Sequence, residues 1–503
     1  MTRMQFYFRL NLLIALSLIE VSFSHARPSE EADPNPSSTY SITFRDPDEA
    51  LVEYSFTATD TVLYMSDMGA QQLENGWATF VRDPEIVSAE GKRLSITPSN
   101  QNGWKISATK GQKVVLSYRV VLEHEKYSWP GGIDGVAYKR DHGVFYSGRS
   151  LFVMNGKESG QIRVNFVLPE GWEVSTPWDR SSDRSNSFLV SNQTELAESM
   201  IFAGIHERIV LREGNFEILF ALGGTQQIAK KEEYRNLASG VFAYYIDLMG
   251  GIPRPNPEHP FHRVLVVLNP SSQTDGEVIG NSISILESVE NGPQSRLLSS
   301  LLFAHELFHL WNGKSFFPSD DRAEWFKEGV TNYYTLKALY STGVVPEDTF
   351  FRTLSDFFFQ RYINDPGLGS IPLTRGDMKH QHWGLIYSGG MFAGIAQDMI
   401  IRSASGNSRS LDDLMRRLYR EYGGSAKSYT LEDLQDHLSD LSGMDPSGFF
   451  NEFISGTSAL PVAEQLGLSG LDTEVQENRL SISRSADETE LETAIIQGML
   501  GVH

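Results

Sequence analysis

From Tyr40 to about Glu207, short apolar-rich runs alternate with clusters of turn residues, and few stretches sustain a helical period. Tyr40–Phe44, Val114–Leu122 and Gln161–Leu168 are such runs, the last leading into Pro169-Glu170-Gly171-Trp172. β-branched and aromatic runs bounded by Gly, Pro and Asn predict strands. Residues 40–207 are therefore expected to form an all-β, sandwich-like domain. Beyond Ile209 the texture changes. A strand is predicted at Phe216–Leu222, then a helix at Lys231–Met249 that stops at Gly250-Gly251 ahead of Pro253 and Pro255. Arg263–Leu268 and Asn281–Leu286 read as two more strands. From Ser295 almost to Ile454 apolar residues recur every three or four positions, with breaks at 313–321, 363–384 and 403–410. The pattern predicts a multidomain α+β chain, with a β/α segment feeding a helical one over residues 208–459. A short extension over 460–503 carries one strand (Arg479–Ser483) and one helix (Glu490–Met499), too little for a separate domain.

The first 26 residues follow a different logic. Arg3 and Arg9 precede a short apolar run, Leu10–Ile19, and Ser24-His25-Ala26 places small residues at −3 and −1 of a cleavage point. This is the pattern of an export signal peptide, too short for a membrane span. Residues 27–39 are polar and Pro-rich, as in a flexible linker. The expected location is periplasmic or secreted, with no integral membrane segment after cleavage. A net charge of −21 argues against nucleic acid as a partner. The chain has no cysteine, so any metal must be held by His, Asp or Glu.

Candidate chemistry sits on the helix predicted at Ser299–Trp311, an apolar segment interrupted by His305, Glu306 and His309. Histidines at i and i+4 share a helix face and can reach one ion. The Glu beside the first histidine suits a general base acting on metal-activated water. A catalytic zinc takes three protein ligands and leaves one position open. Asp320–Tyr340 is read as a second helix, and Glu328, with 18 residues between it and His309 and flanked by aromatic residues, supplies the third ligand. Asn332 and Asn312 are placed to hold the imidazoles from behind.

The segments His305-Glu306-Leu307-Phe308-His309-Leu310-Trp311-Asn312 and Trp325-Phe326-Lys327-Glu328-Gly329-Val330-Thr331-Asn332-Tyr333-Tyr334 resemble a gluzincin zinc metallopeptidase of the glycyl aminopeptidase family, related to the alanyl aminopeptidase family. Gly143–Gly148 and Leu168–Trp172 upstream, and Tyr387–Gly390 and Ser410–Met415 downstream, extend the likeness. The resemblance implies an N-terminal β domain, a thermolysin-like β/α and helical catalytic domain over 208–459, and one Zn2+ per chain held by His305, His309 and Glu328. It also implies Glu306 as catalytic base, and Tyr387, 59 residues after Glu328 in a Y-x-x-G setting, as donor to the oxyanion. The family's usual C-terminal PDZ domain has no counterpart in the 40 or so residues after the helical segment. Aminopeptidases of this clan also carry a strand Glu that captures the substrate amine. Here the stretch reads Gly276-Glu277-Val278-Ile279-Gly280-Asn281-Ser282, with Glu277 one residue out of register. If Asn281–Leu286 is the edge strand of the cleft, Glu277 lies at its mouth. The resulting expectation is an exported zinc metallopeptidase acting on peptide or protein substrates, in the first place an aminopeptidase. The alternatives are a zinc endopeptidase of the same fold and, behind it, a non-catalytic binding scaffold on a decayed peptidase fold.

Overall fold

The computed structural model describes residues 36–99, 102–129, 132–157, 160–182, 184–288 and 292–502. The proposed signal segment lies outside these. Alternate residues of Ser38–Asp46, Glu49–Thr57 and Lys113–Val121 are buried, the period of strands with one face on a core. These strands belong to an eight-stranded sheet, which shares its core with two four-stranded sheets. One of the smaller sheets has Glu173–Ser175, Met200–Gly204, Gly143–Ser147 and Ala137–Arg140 in order. It is buried on both faces. Val144, Tyr146, Ile201 and Ala203 join the β core, while Tyr138, Phe145, Met200 and Phe202 pack against the sheet of the next domain.

That next sheet has five strands in the order His206–Glu213, Phe216–Gly223, Arg263–Ser271, Ser282–Ser288, Asp275–Ile279. The central pairings are parallel and the two outer ones antiparallel. The unbroken apolar run Arg263–Leu268 follows from burial on both sides: Val264 and Val266 face the helical core, Leu265 and Val267 face the β domain. Helix Lys231–Met249 joins two of the parallel strands and ends on Gly250, whose φ of 74° is the left-handed cap that glycine adopts without strain. The C-terminal residues 460–502 add a two-stranded hairpin and helix Glu490–Leu500, and Ile495, Ile496, Met499 and Leu500 join the helical core.

Two expectations are corrected. Asn281–Leu286 is not the edge of the cleft: its strand, Ser282–Ser288, is interior, and Asp275–Ile279 folds back through Gly280 (φ 57°) to form the edge. With Asp, Gly and Glu in its first three positions, that segment carries no strand periodicity in the sequence. The helix read over Asp320–Tyr340 is also interrupted. A 3-10 turn at Asp321–Ala323 leads into a π-helical turn at Phe326–Val330 before the α-helix Thr331–Ser341. Backbone contact enforces this path. A Cβ on Gly329 would lie 2.2 Å from the carbonyl carbon of Gly390, and one on Gly390 would lie 2.3 Å from the carbonyl oxygen of Trp325. Only paired glycines let the two helices touch so closely.

Candidate active site

Helix Pro293–Phe308 opens with proline at its first turn and carries His305 in its last, with His309 just beyond. The two Nε2 atoms lie 3.0 Å apart. Behind them, the Nδ1–H of His305 donates to Asn332 Oδ1 at 2.9 Å, and that of His309 to the backbone carbonyl of Asn312 at 2.8 Å. Both acceptors are oxygens without a proton, so both histidines present Nε2 lone pairs to the same point. Asn332 thus holds an imidazole with its side chain, and Asn312 does so with its carbonyl. The Asn312 amide instead binds Lys327 O and Thr331 Oγ1, each at 3.1 Å, and fixes the loop to the second helix.

Glu328 completes the trio, its Oε2 3.1 Å from His309 Nε2 and 3.5 Å from His305 Nε2. Its other oxygen accepts from Lys379 Nζ at 2.9 Å, with Lys327 at 3.4 Å, and both lysines also bind Glu324 at 2.7 Å. Burial opposes the charge on Glu328, but His309, His305 and Lys327 outweigh it and hold the carboxyl well below its usual range. Three acceptor atoms separated by 3.0 to 3.5 Å repel one another unless a cation lies between them. Ligands at ~2.0–2.1 Å in tetrahedral array are separated by roughly 3.3 Å, so the donor set fits zinc. Glu306 lies beside this trio, and the ligand atoms of His305, Glu306 and His309 all fall within 4.8 Å of one another. Burial pushes the Glu306 carboxyl up to about 7, with Glu328 and Glu277 adding to the rise against His305.

Tyr387 arrives on a second π-helical turn, Gly384–Gly389, which continues into helix Gly390–Ser405. Single π turns recur at functional sites, where they re-aim a side chain. The ring stacks on Trp383 at 5.1 Å and lies 6.3 Å from the imidazole of His305. Burial, reinforced by Glu328, raises its pKa, so the hydroxyl remains a donor at neutral pH. In the loop before it, His380 is exposed and His382 is bound to Asp365 at 2.8 Å. Lys379 is the residue through which that loop reaches the site.

Sequence reasoning also missed an acidic pocket. Asp134, from the β domain, is 0% exposed, and neither of its oxygens has a partner among the described residues. Burial first, and then Asp275, push its carboxyl up to about 8, and Glu277 and Glu306 contribute. Asp275 and Glu277 share one face of the edge strand, whose ladder shows no bulge. Glu277 points toward the β domain, where a Cβ on Gly135 would lie 2.6 Å from its Cγ. Both carboxyls are raised, chiefly by burial.

The fold and site define a peptidase. Residues 39–205 match the Peptidase M61 N-terminal domain and residues 299–389 the M61 glycyl aminopeptidase, together just over half of the chain. The chain belongs to the M61 peptidase family. No curated protein sequence matches it. Its fold is similar to that of an aminopeptidase N family protein from Idiomarina loihiensis, with TM-score 0.74 and 17% identity over 90% of this chain and 82% of that one. A mutant M1 zinc metallopeptidase from Deinococcus radiodurans bound to the substrate Tyr-Ser-Ala aligns with TM-score 0.51 and 15% identity over 84% of this chain and 94% of that one. At these identities the likeness concerns the fold.

Proposed function

We propose that this peptidase is an exported, zinc-dependent aminopeptidase. His305, His309 and Glu328 would hold the zinc, which when bound supplies the Lewis acidity that polarises the scissile carbonyl and acidifies a water. Glu306 takes a proton from the attacking water on its carboxylate and returns it to the departing amine. The Tyr387 hydroxyl donates to the carbonyl oxygen as negative charge develops there. Asn332 and the Asn312 carbonyl keep both imidazoles in the required tautomer. Lys379 and Lys327 keep one Glu328 oxygen occupied, so that the other is aimed at the histidines.

The exopeptidase reading is carried by Asp134. A buried carboxyl with no partner is costly unless a cation reaches it. Asp275 and Glu277 beside it make a seat for an ammonium group, and Asp134 and Glu277 both lie in the field of Glu306. A substrate's free α-amine satisfies that demand while placing the first peptide bond at the zinc ligands. The structure of the Deinococcus enzyme with a tripeptide supports a short peptide as the occupant of such a fold. The pattern in Met1–Ala26 supports export. Glu277→Gln should raise KM for a free-N-terminus peptide by roughly tenfold, the ~1.4 kcal/mol of one charge-assisted contact. An unchanged KM would remove the amine seat.

A further inference from the structure

A second polar feature is left unused by this mechanism. Lys314 follows His309 by five residues, and its backbone N–H donates to the His309 carbonyl at 2.9 Å. With Gly313 it lines a cavity of 530 Å³ between residues 191–198 of the β domain and segments 256–261 and 280–281 of the catalytic domain. That volume is in the range of small-ligand sites. Among the described residues on its wall, Lys314 is the only lysine or arginine. The ammonium is half-buried and has no hydrogen bond or ion pair among the described residues; burial and then Lys327 lower its pKa, against Glu198 and Glu306. The cavity's own carboxylates do not neutralise it. Glu198 is held by the guanidinium of Arg149, Glu195 Oε2 accepts from the Ser191 N–H at 2.8 Å, and Glu258 is exposed at the rim.

We propose that Lys314 anchors the free C-terminal carboxylate of a short peptide, so that di- and tripeptides are the preferred substrates. The inference rests on the aminopeptidase reading and specifies its substrate class. A partly desolvated cation with no anion of its own is a seat for one, and a charge-assisted contact of this kind adds orientation as well as affinity. The backbone of Lys314 is tied directly to that of a metal-ligand candidate. An extended residue spans only ~3.3–3.6 Å. The Lys314 ammonium lies in the field of Glu306, so a carboxylate bound there would be within reach of a short peptide held at the site. Amine and carboxylate of one small substrate would then be read by different segments, the acidic pocket and Lys314.

The test compares Ala-Phe with Ala-Phe-amide on the zinc-loaded enzyme. Wild type should favour the free acid in kcat/KM by tenfold or more, Lys314→Met should bring the ratio close to one, and Lys314→Arg should restore most of it. Alanine release with equal kcat/KM on acid and amide by wild type would overturn the anchor while leaving the aminopeptidase reading intact. So would a fall in kcat of Lys314→Met that is equal on both substrates, since the lysine would then act through Glu306. Preference for a peptide with a basic second residue over Ala-Phe would assign the cavity to a cation. Release of alanine from neither substrate would overturn both readings.

Discussion

Lys379 Nζ donates to Glu328 Oε1 at 2.9 Å while Glu328 Oε2 faces His309 Nε2 at 3.1 Å, so a single carboxylate joins a lysine to the histidine pair. Its two oxygens have separate duties. Lys379→Met would free the carboxylate to rotate and leave Glu324 competing for Lys327 alone. Zinc affinity should fall about 10–100-fold, the usual cost of losing a group that orients a ligand. Chelator competition on the purified protein measures this, and an unchanged affinity would show that helix packing alone orients Glu328.

Glu306→Gln and Glu328→Ala should fail in different ways. The amide at 306 cannot take a proton, so hydrolysis should drop at least ~10²-fold with zinc content and melting temperature retained. Glu328→Ala should lose zinc and, with it, the rise in melting temperature that zinc confers on wild type. Metal analysis beside thermal scans separates the two outcomes. A Glu328→Ala protein that binds zinc like wild type would place the third ligand elsewhere.

The histidines, Glu306 and Glu328 are legible from the sequence because helix geometry converts spacing into position, and a glutamate amid Trp325, Phe326 and Val330 has little reason to be there unless it is ligated. Arg263–Leu268 and Lys231–Met249 are legible for the same kind of reason, since their periods survive in the fold. Lys379, Asp134 and Asp275 are not. Each sits in a segment without periodicity, and each acquires its role through a contact made between distant parts of the chain. The Asp275–Ile279 edge strand was hidden likewise, and the π turns at Glu328 and Tyr387 depend on the meeting of Gly329 with Gly390, which lie 61 positions apart.

Tyr387→Phe removes the hydroxyl and leaves the stacking on Trp383 in place. If the hydroxyl donates only as charge grows on the substrate oxygen, kcat should fall about 10²–10³-fold with little change in KM. Steady-state kinetics reads the split directly. An effect confined to KM would make Tyr387 a wall of the pocket.

Asp134 links function to stability through pH. It titrates at about 8 in the folded chain, against 3.8 for the ordinary group. The folded state therefore binds the extra proton between those values. Its contribution to stability is fully present below about pH 4 and is lost as pH rises toward 8. Asp134→Asn removes that linkage. Its melting temperature should match wild type near pH 4 and exceed it at pH 8, where the difference amounts to a few kcal/mol by order of magnitude. Parallel melting curves at both pH values would show no such gap if Asp134 has a cation bound in the resting protein.

The central claim is that the substrate is read from its free amino end, and blocking that end tests it most directly. The zinc-loaded wild-type enzyme should release the first residue from a free tripeptide and leave the N-acetylated form of the same peptide uncut, with kcat/KM at least ~10²-fold lower, as expected when a buried carboxyl is left facing an uncharged amide. Equal cleavage of the free and acetylated peptides would contradict the account and make this peptidase an endopeptidase.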